Sequence, residues 1–169
     1  MLKSLLSHPW IARTRRNHAL EHATMHVLAQ QQRGLRLVGR STPDGFLIYG
    51  TVPTESLVQA VEEALSRLRA GQKELAIHPA CGTNFVAGGV LAGLGAFAVL
   101  TPRRRGLSEW LGRLPTVMLV ATLGLILGQR LGSELQARLT TDADVGALQI
   151  AGVTREERGS LTVHRIRTR

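Results

Sequence analysis

Three of the six histidines stand four residues apart, at His18, His22 and His26, and Glu21 directly precedes the middle one. Each residue of an α-helix advances by about 100°, so the three imidazoles and the carboxylate share one side of a helix. Leu20, Ala23, Thr24 and Val27 fall on the other side, ready to pack on a core. Imidazole nitrogens are good ligands for zinc. His18 and His22, or His22 and His26, lie one turn apart and can share an ion. His18 and His26 are separated by roughly 12 Å of helix axis, too far for all three to bind one metal. A further ligand must come from elsewhere, and His78 and Cys81 offer a usable His-x-x-Cys spacing. With His18, His22 and His78 bound, a fourth position is open and Glu21 can activate its water as a general base. With Cys81 bound as well, the site is closed and structural. The same face could instead be solvated or meet lipid headgroups, with no metal at all.

The elements that must position these residues follow from periodicity and punctuation. Asn17 is a good N-cap residue, so a helix is predicted from there to about Gln32, with Gly34 beyond it. Residues 35–39 and 46–52 read as two strands around the turn Ser41-Thr42-Pro43-Asp44-Gly45. A second helix starts at Pro53-Thr54 and ends at Gly71, with Leu57, Val61, Ala64, Leu65 and Leu68 on one apolar face. Residues 74–78 are predicted as a third strand. The expected fold class is α+β: a small α-β-β-α-β two-layer domain, then a transmembrane helical hairpin, then a C-terminal β-hairpin able to extend the sheet. The corresponding boundaries are 1–82, 83–132 and 133–169, and the last two strands are expected at 148–153 and 161–167.

The membrane segments are read from composition. Residues 85–100 carry no charged or polar side chain, and residues 114–128 carry only Thr116 and Thr122. Each is slightly short of the roughly 20 residues that span a bilayer, a deficit that flanking residues can fill. Gly89 and Gly93, and Gly124 and Gly128, give each run a small-residue stripe suited to self-association or to a helical membrane partner.

With 21 Lys and Arg against 12 Asp and Glu the chain is basic, but its arginines are scattered and its aromatics form no stacking platform. Membrane lipids are therefore the expected partners, and nucleic acid is not. The densest run, Arg103-Arg104-Arg105, sits between the two apolar stretches, where it suits headgroups. The opening ten residues lack a long apolar core and read as a short anchor or packed arm. An integral protein of the bacterial inner membrane with cytoplasmic termini is expected. The single cysteine excludes an internal disulfide. His8 and His164 are assigned no role, Thr83-Asn84 is expected to cap the first membrane helix, and Met25 to pack.

Residues 17–79 resemble a shortened pitrilysin-type (inverzincin) metallopeptidase unit. The likeness rests on His18-Ala19-Leu20-Glu21-His22, on the hairpin through Thr42-Pro43-Asp44-Gly45, and on Val52-Pro53-Thr54-Glu55-Ser56-Leu57. It implies that His18 and His22 bind zinc and that Glu21 is the base. That family's third ligand is a glutamate on a later helix, and here the chain has entered an apolar run by that distance. With Asn17-His18-Ala19-Leu20-Glu21-His22-Ala23-Thr24 at one end and His78-Pro79-Ala80-Cys81-Gly82-Thr83-Asn84 before the apolar runs, nearly the whole chain also resembles a family of small uncharacterised bacterial membrane proteins. Two functions follow as expectations: a membrane-anchored zinc site, extending to peptidase-like hydrolysis, or a non-enzymatic membrane scaffold or assembly protein.

Overall fold

The computed structural model of the chain describes residues 2–32, 34–101, 106–159 and 161–169. The arginine triplet at 103–105 lies outside the described residues. Met1–His78 with Gln136–Arg169 form one compact unit, and Pro79–Leu135 form a second.

In the first unit a short helix α1 (Leu2–Leu6) precedes the long helix α2 (Pro9–Gln31). The strands β1 (Val38–Thr42) and β2 (Gly45–Tyr49) follow, then helix α3 (Thr54–Arg69) and a single 3₁₀ turn over Lys73–Ala76. The C-terminal hairpin β3 (Ile150–Arg158) and β4 (Leu161–Thr168) completes one antiparallel sheet of order β1-β2-β4-β3. The C-terminal hairpin thus extends the N-terminal sheet, β4 pairing with β2 so that Phe46 faces Ile166 and Ile48 faces His164.

Helix α2 begins eight residues before the expected cap. Pro9 occupies its first turn, where a missing N–H costs nothing. Asn17 lies inside the helix and is fully buried. Gly45 closes the β1–β2 turn at φ 139°, a conformation open to glycine, and the Ile166 carbonyl fills the space where a side chain would stand.

The core lies between the helices and one face of the sheet. Leu20, Ala23, Val27 and Leu28 of α2 meet Leu57, Val61, Ala64 and Leu68 of α3, and Phe46, Ile48 and Ile166 close it from the strands. Full burial of each large apolar side chain contributes about 1.5–3 kcal/mol.

The third strand expected at 74–78 is absent. Its backbone groups find side-chain partners instead of a ladder: the carbonyls of Ala76 and Ile77 meet His22 and His26, and both backbone groups of His78 bond the amide of Gln136.

The second unit contains α4 (Gly82–Leu100), a short α5 (Leu107–Leu111) and α6 (Leu114–Leu135). Two helical stretches, Gly82–Leu100 and Ser108–Thr140, are long and apolar enough to cross a membrane. Phe85, Val86, Leu94, Phe97, Met118 and Ile126 point outward, each more than 60 % exposed. Apart from Asn84, the buried positions are small: Ala87 and Gly88 on α4, and Gly124, Gly128 and Gly132 on α6. A Cβ on Gly128 would collide with the Gly88 backbone, and one on Gly124 would lie 2.7 Å from the Ala92 nitrogen. Gly124 and Gly128 are therefore spent inside the hairpin, whereas Gly89 and Gly93 have open space beside them. Cys81, not Thr83 or Asn84, holds the N-cap position of α4, and the Asn84 side chain donates to the Pro79 carbonyl at 2.8 Å.

Candidate metal centre

The site grows from the polar face of α2. His22 is buried, and its Nδ1–H donates to the Ala76 carbonyl at 2.7 Å. His18 donates from Nδ1 to the Thr140 carbonyl at 2.9 Å. A carbonyl only accepts, so each ring carries a proton on Nδ1, and in the neutral ring Nε2 is the lone-pair nitrogen. Metal-binding histidines are held in this way, the second ring nitrogen donating to a backbone carbonyl and fixing tautomer and orientation. The ring centroids of His18 and His22 are 4.2 Å apart. The residues 18 and 22 thus meet as their one-turn spacing predicts.

His18 and His22 each offer one ring nitrogen, and these lie within 4.8 Å of one another, close enough to share a metal ion.

The other two histidines sit beside it. The His78 ring is 5.6 Å from that of His22 and 5.0 Å from that of His26. Burial, and then the neighbouring imidazoles of His22 and His26, push the His78 pKa down to about 4. His78 is consequently neutral at physiological pH. His26 turns the opposite nitrogen to the backbone, Nε2–H donating to the Ile77 carbonyl at 2.9 Å. Neither His78 nor His26 belongs to the close group.

Glu21 lies on the sheet side of α2. Its buried carboxylate accepts a hydrogen bond from the Ser41 hydroxyl and packs over Gly39 of β1. A Cβ at residue 39 would occupy the space of the carboxylate oxygen, so the glycine is what admits Glu21.

Sequence reasoning missed several residues that build this neighbourhood. Gln136 is fully buried, accepting from the His78 N–H at 2.8 Å and donating to its carbonyl at 3.1 Å. It lies in a π-helical turn, Gln136–Thr140, that continues α6. Arg15 donates to the carbonyls of Leu139 at 2.7 Å and Thr141 at 2.9 Å. A glutamine and an arginine of these kinds carry no local signal of such roles, although the π-turn is a form often found at functional positions.

The profile of the family described as "Domain of unknown function (DUF6391)" matches residues 13–153, most of the chain. The protein belongs to the DUF6391 family. Over 79 residues this DUF6391 chain is 43 % identical to an uncharacterized protein of the cyanobacterium Picosynechococcus sp., a stretch that is 41 % of the chain and 38 % of that relative. No solved structure matches. These findings support the resemblance to a family of unknown function and lend nothing to the pitrilysin-type segment.

Proposed function

We propose that this DUF6391 protein is an integral membrane metalloprotein in which His18 and His22 hold a zinc ion, with Cys81 as the thiolate that the His-x-x-Cys spacing offers. The observation that carries the reading is the pair of carbonyl bonds that set both imidazoles in one tautomer, with Nε2 as the ligand nitrogen in each. Two imidazoles and one thiolate suit zinc, a borderline-soft ion. In this reading the two apolar helices cross the inner membrane of a bacterial cell, with lipid against their large outward side chains. Both termini are then cytoplasmic, where thiols stay reduced and Cys81 is available as a thiolate. A helical partner or a second copy would meet the hairpin at Gly89 and Gly93.

A non-hydrolytic site is favoured by Glu21, whose carboxylate is engaged by Ser41 and seated over Gly39. The hydrolytic alternative makes Glu21 the base for a water at a fourth zinc position. Zinc content of the full chain in detergent, by plasma mass spectrometry, tests the metal reading. About one zinc per chain, lost in His22→Ala, is expected for such a site. No zinc after purification without chelator and reloading overturns it. Glu21→Gln decides the alternative: retained zinc with lost peptide hydrolysis establishes a peptidase-like enzyme, and no hydrolysis by the zinc-loaded wild type removes it.

A further inference from the structure

The histidines of α2 reach the two segments of chain that lead into and out of residues 79–135. On the leading side, His22 bonds the Ala76 carbonyl and His26 the Ile77 carbonyl. On the returning side, His18 bonds the Thr140 carbonyl. The Gln136 amide ties the returning segment to the leading one through both backbone groups of His78. Arg15 adds a second hold on the returning segment through Leu139 and Thr141.

We propose that metal ligation by His18 and His22 is a latch that fixes both of these segments, residues 76–78 and 137–141, to α2. The inference rests on the metal reading above and adds a regulatory consequence to it. A neutral imidazole exchanges between two tautomers and can rotate, and only one arrangement presents Nδ1–H to the carbonyl. A metal on Nε2 excludes the proton from that nitrogen, makes Nδ1–H obligatory and strengthens it as a donor. Two bonds that would otherwise compete with tautomer exchange and water become fixed together. One acts on the chain just before residues 79–135 and the other just after them, so loading one ion restrains both flanking segments. Arg15 and Gln136 bond without any metal, so the unloaded chain keeps its fold and only the additional restraint is switched.

Hydrogen exchange read by mass spectrometry on the full chain in detergent tests this, with zinc and with chelator, and with zinc content measured on the same samples. Zinc is expected to slow exchange at residues 76–78 and 137–141 by about tenfold, the worth of roughly one hydrogen bond, while α3 and β4 do not change. Arg15→Gln removes one metal-independent hold, so the zinc-dependent slowing at 137–141 should grow. Bound zinc with unchanged exchange at these segments, or with uniform slowing across the whole unit, overturns the latch and leaves the metal reading standing. Absence of bound zinc overturns the metal reading and the latch with it.

Discussion

Asn17 of α2 and Thr168 at the end of β4 are 151 residues apart in sequence and meet in the core, the Thr168 hydroxyl donating to Asn17 Oδ1 at 2.8 Å. The Asn17 amide nitrogen donates in turn to the carbonyls of Thr42 and Pro43, at 2.8 and 3.1 Å. One fully buried side chain therefore joins the helix that carries the histidines, the β1–β2 turn and the last strand. Asn17→Ala takes the partner from two part-buried carbonyls and a buried hydroxyl. A loss of about 3 kcal/mol is expected, read as a lower midpoint in chemical denaturation of the full chain. A change below about 0.5 kcal/mol would mean that water replaces the amide.

Gly39 and Glu21 are expected to be coupled in the same way. Gly39→Ala puts a methyl group where the carboxylate lies. It should destabilise the protein by about 1–3 kcal/mol, the usual range for overpacking. In a Glu21→Ala background the space is vacant and the same substitution should cost at least about 1 kcal/mol less. Additive effects in that double-mutant cycle would show that the carboxylate moves aside freely.

The two glycine stripes of the apolar hairpin should respond oppositely. Gly128→Ala drives a methyl group into the Gly88 backbone, which cannot yield as a flexible side chain can. Weakened α4–α6 packing follows, at a cost of about 1–3 kcal/mol, seen as earlier thermal unfolding in detergent. Gly89→Ala meets open space. It should leave unfolding of the monomer within about 0.5 kcal/mol of wild type.

His164 supplies a pH dependence. It is fully buried in β4; its Nε2 and the Thr54 hydroxyl share a hydrogen bond of 3.1 Å, and its Nδ1 has no hydrogen-bond partner among the described residues. Burial first, and then the Arg155 guanidinium, lowers its pKa from the ordinary 6.5. The unfolded chain therefore takes up the proton before the folded one does. Its contribution to stability is present above the unfolded value and is lost as pH falls below it. Thermal unfolding compared at about pH 7.5 and pH 5.5 should show a drop that is smaller in His164→Phe than in wild type. Equal drops in the two proteins would place the pH dependence in other groups.

Much of the architecture was legible along the chain because it is written in local terms. The fourfold spacing of His18, His22 and His26 specifies a shared helix face, and the Pro43-Asp44-Gly45 turn specifies a hairpin. The two apolar runs specify helices that shed charge. Composition at Glu74-Leu75-Ala76-Ile77-His78 misled for an equally local reason. Its alternation suits a strand, but its polar backbone is satisfied by side chains from α2 and from Gln136.

The sequence by itself thus determined which residue types share a face, where the chain turns, and which segments are apolar. Only the tertiary structure decided what those residues meet. The carbonyl opposite His22 is 54 residues away, that opposite His26 is 51 away, and that opposite His18 is 122 away. It likewise decided that Asn17 is a core tie instead of a cap, and that Gly124 and Gly128 are used within the hairpin while Gly89 and Gly93 are not. Helical periodicity and turn propensity act over a few residues, whereas a hydrogen bond or a backbone contact between distant segments exists only once packing has brought them together.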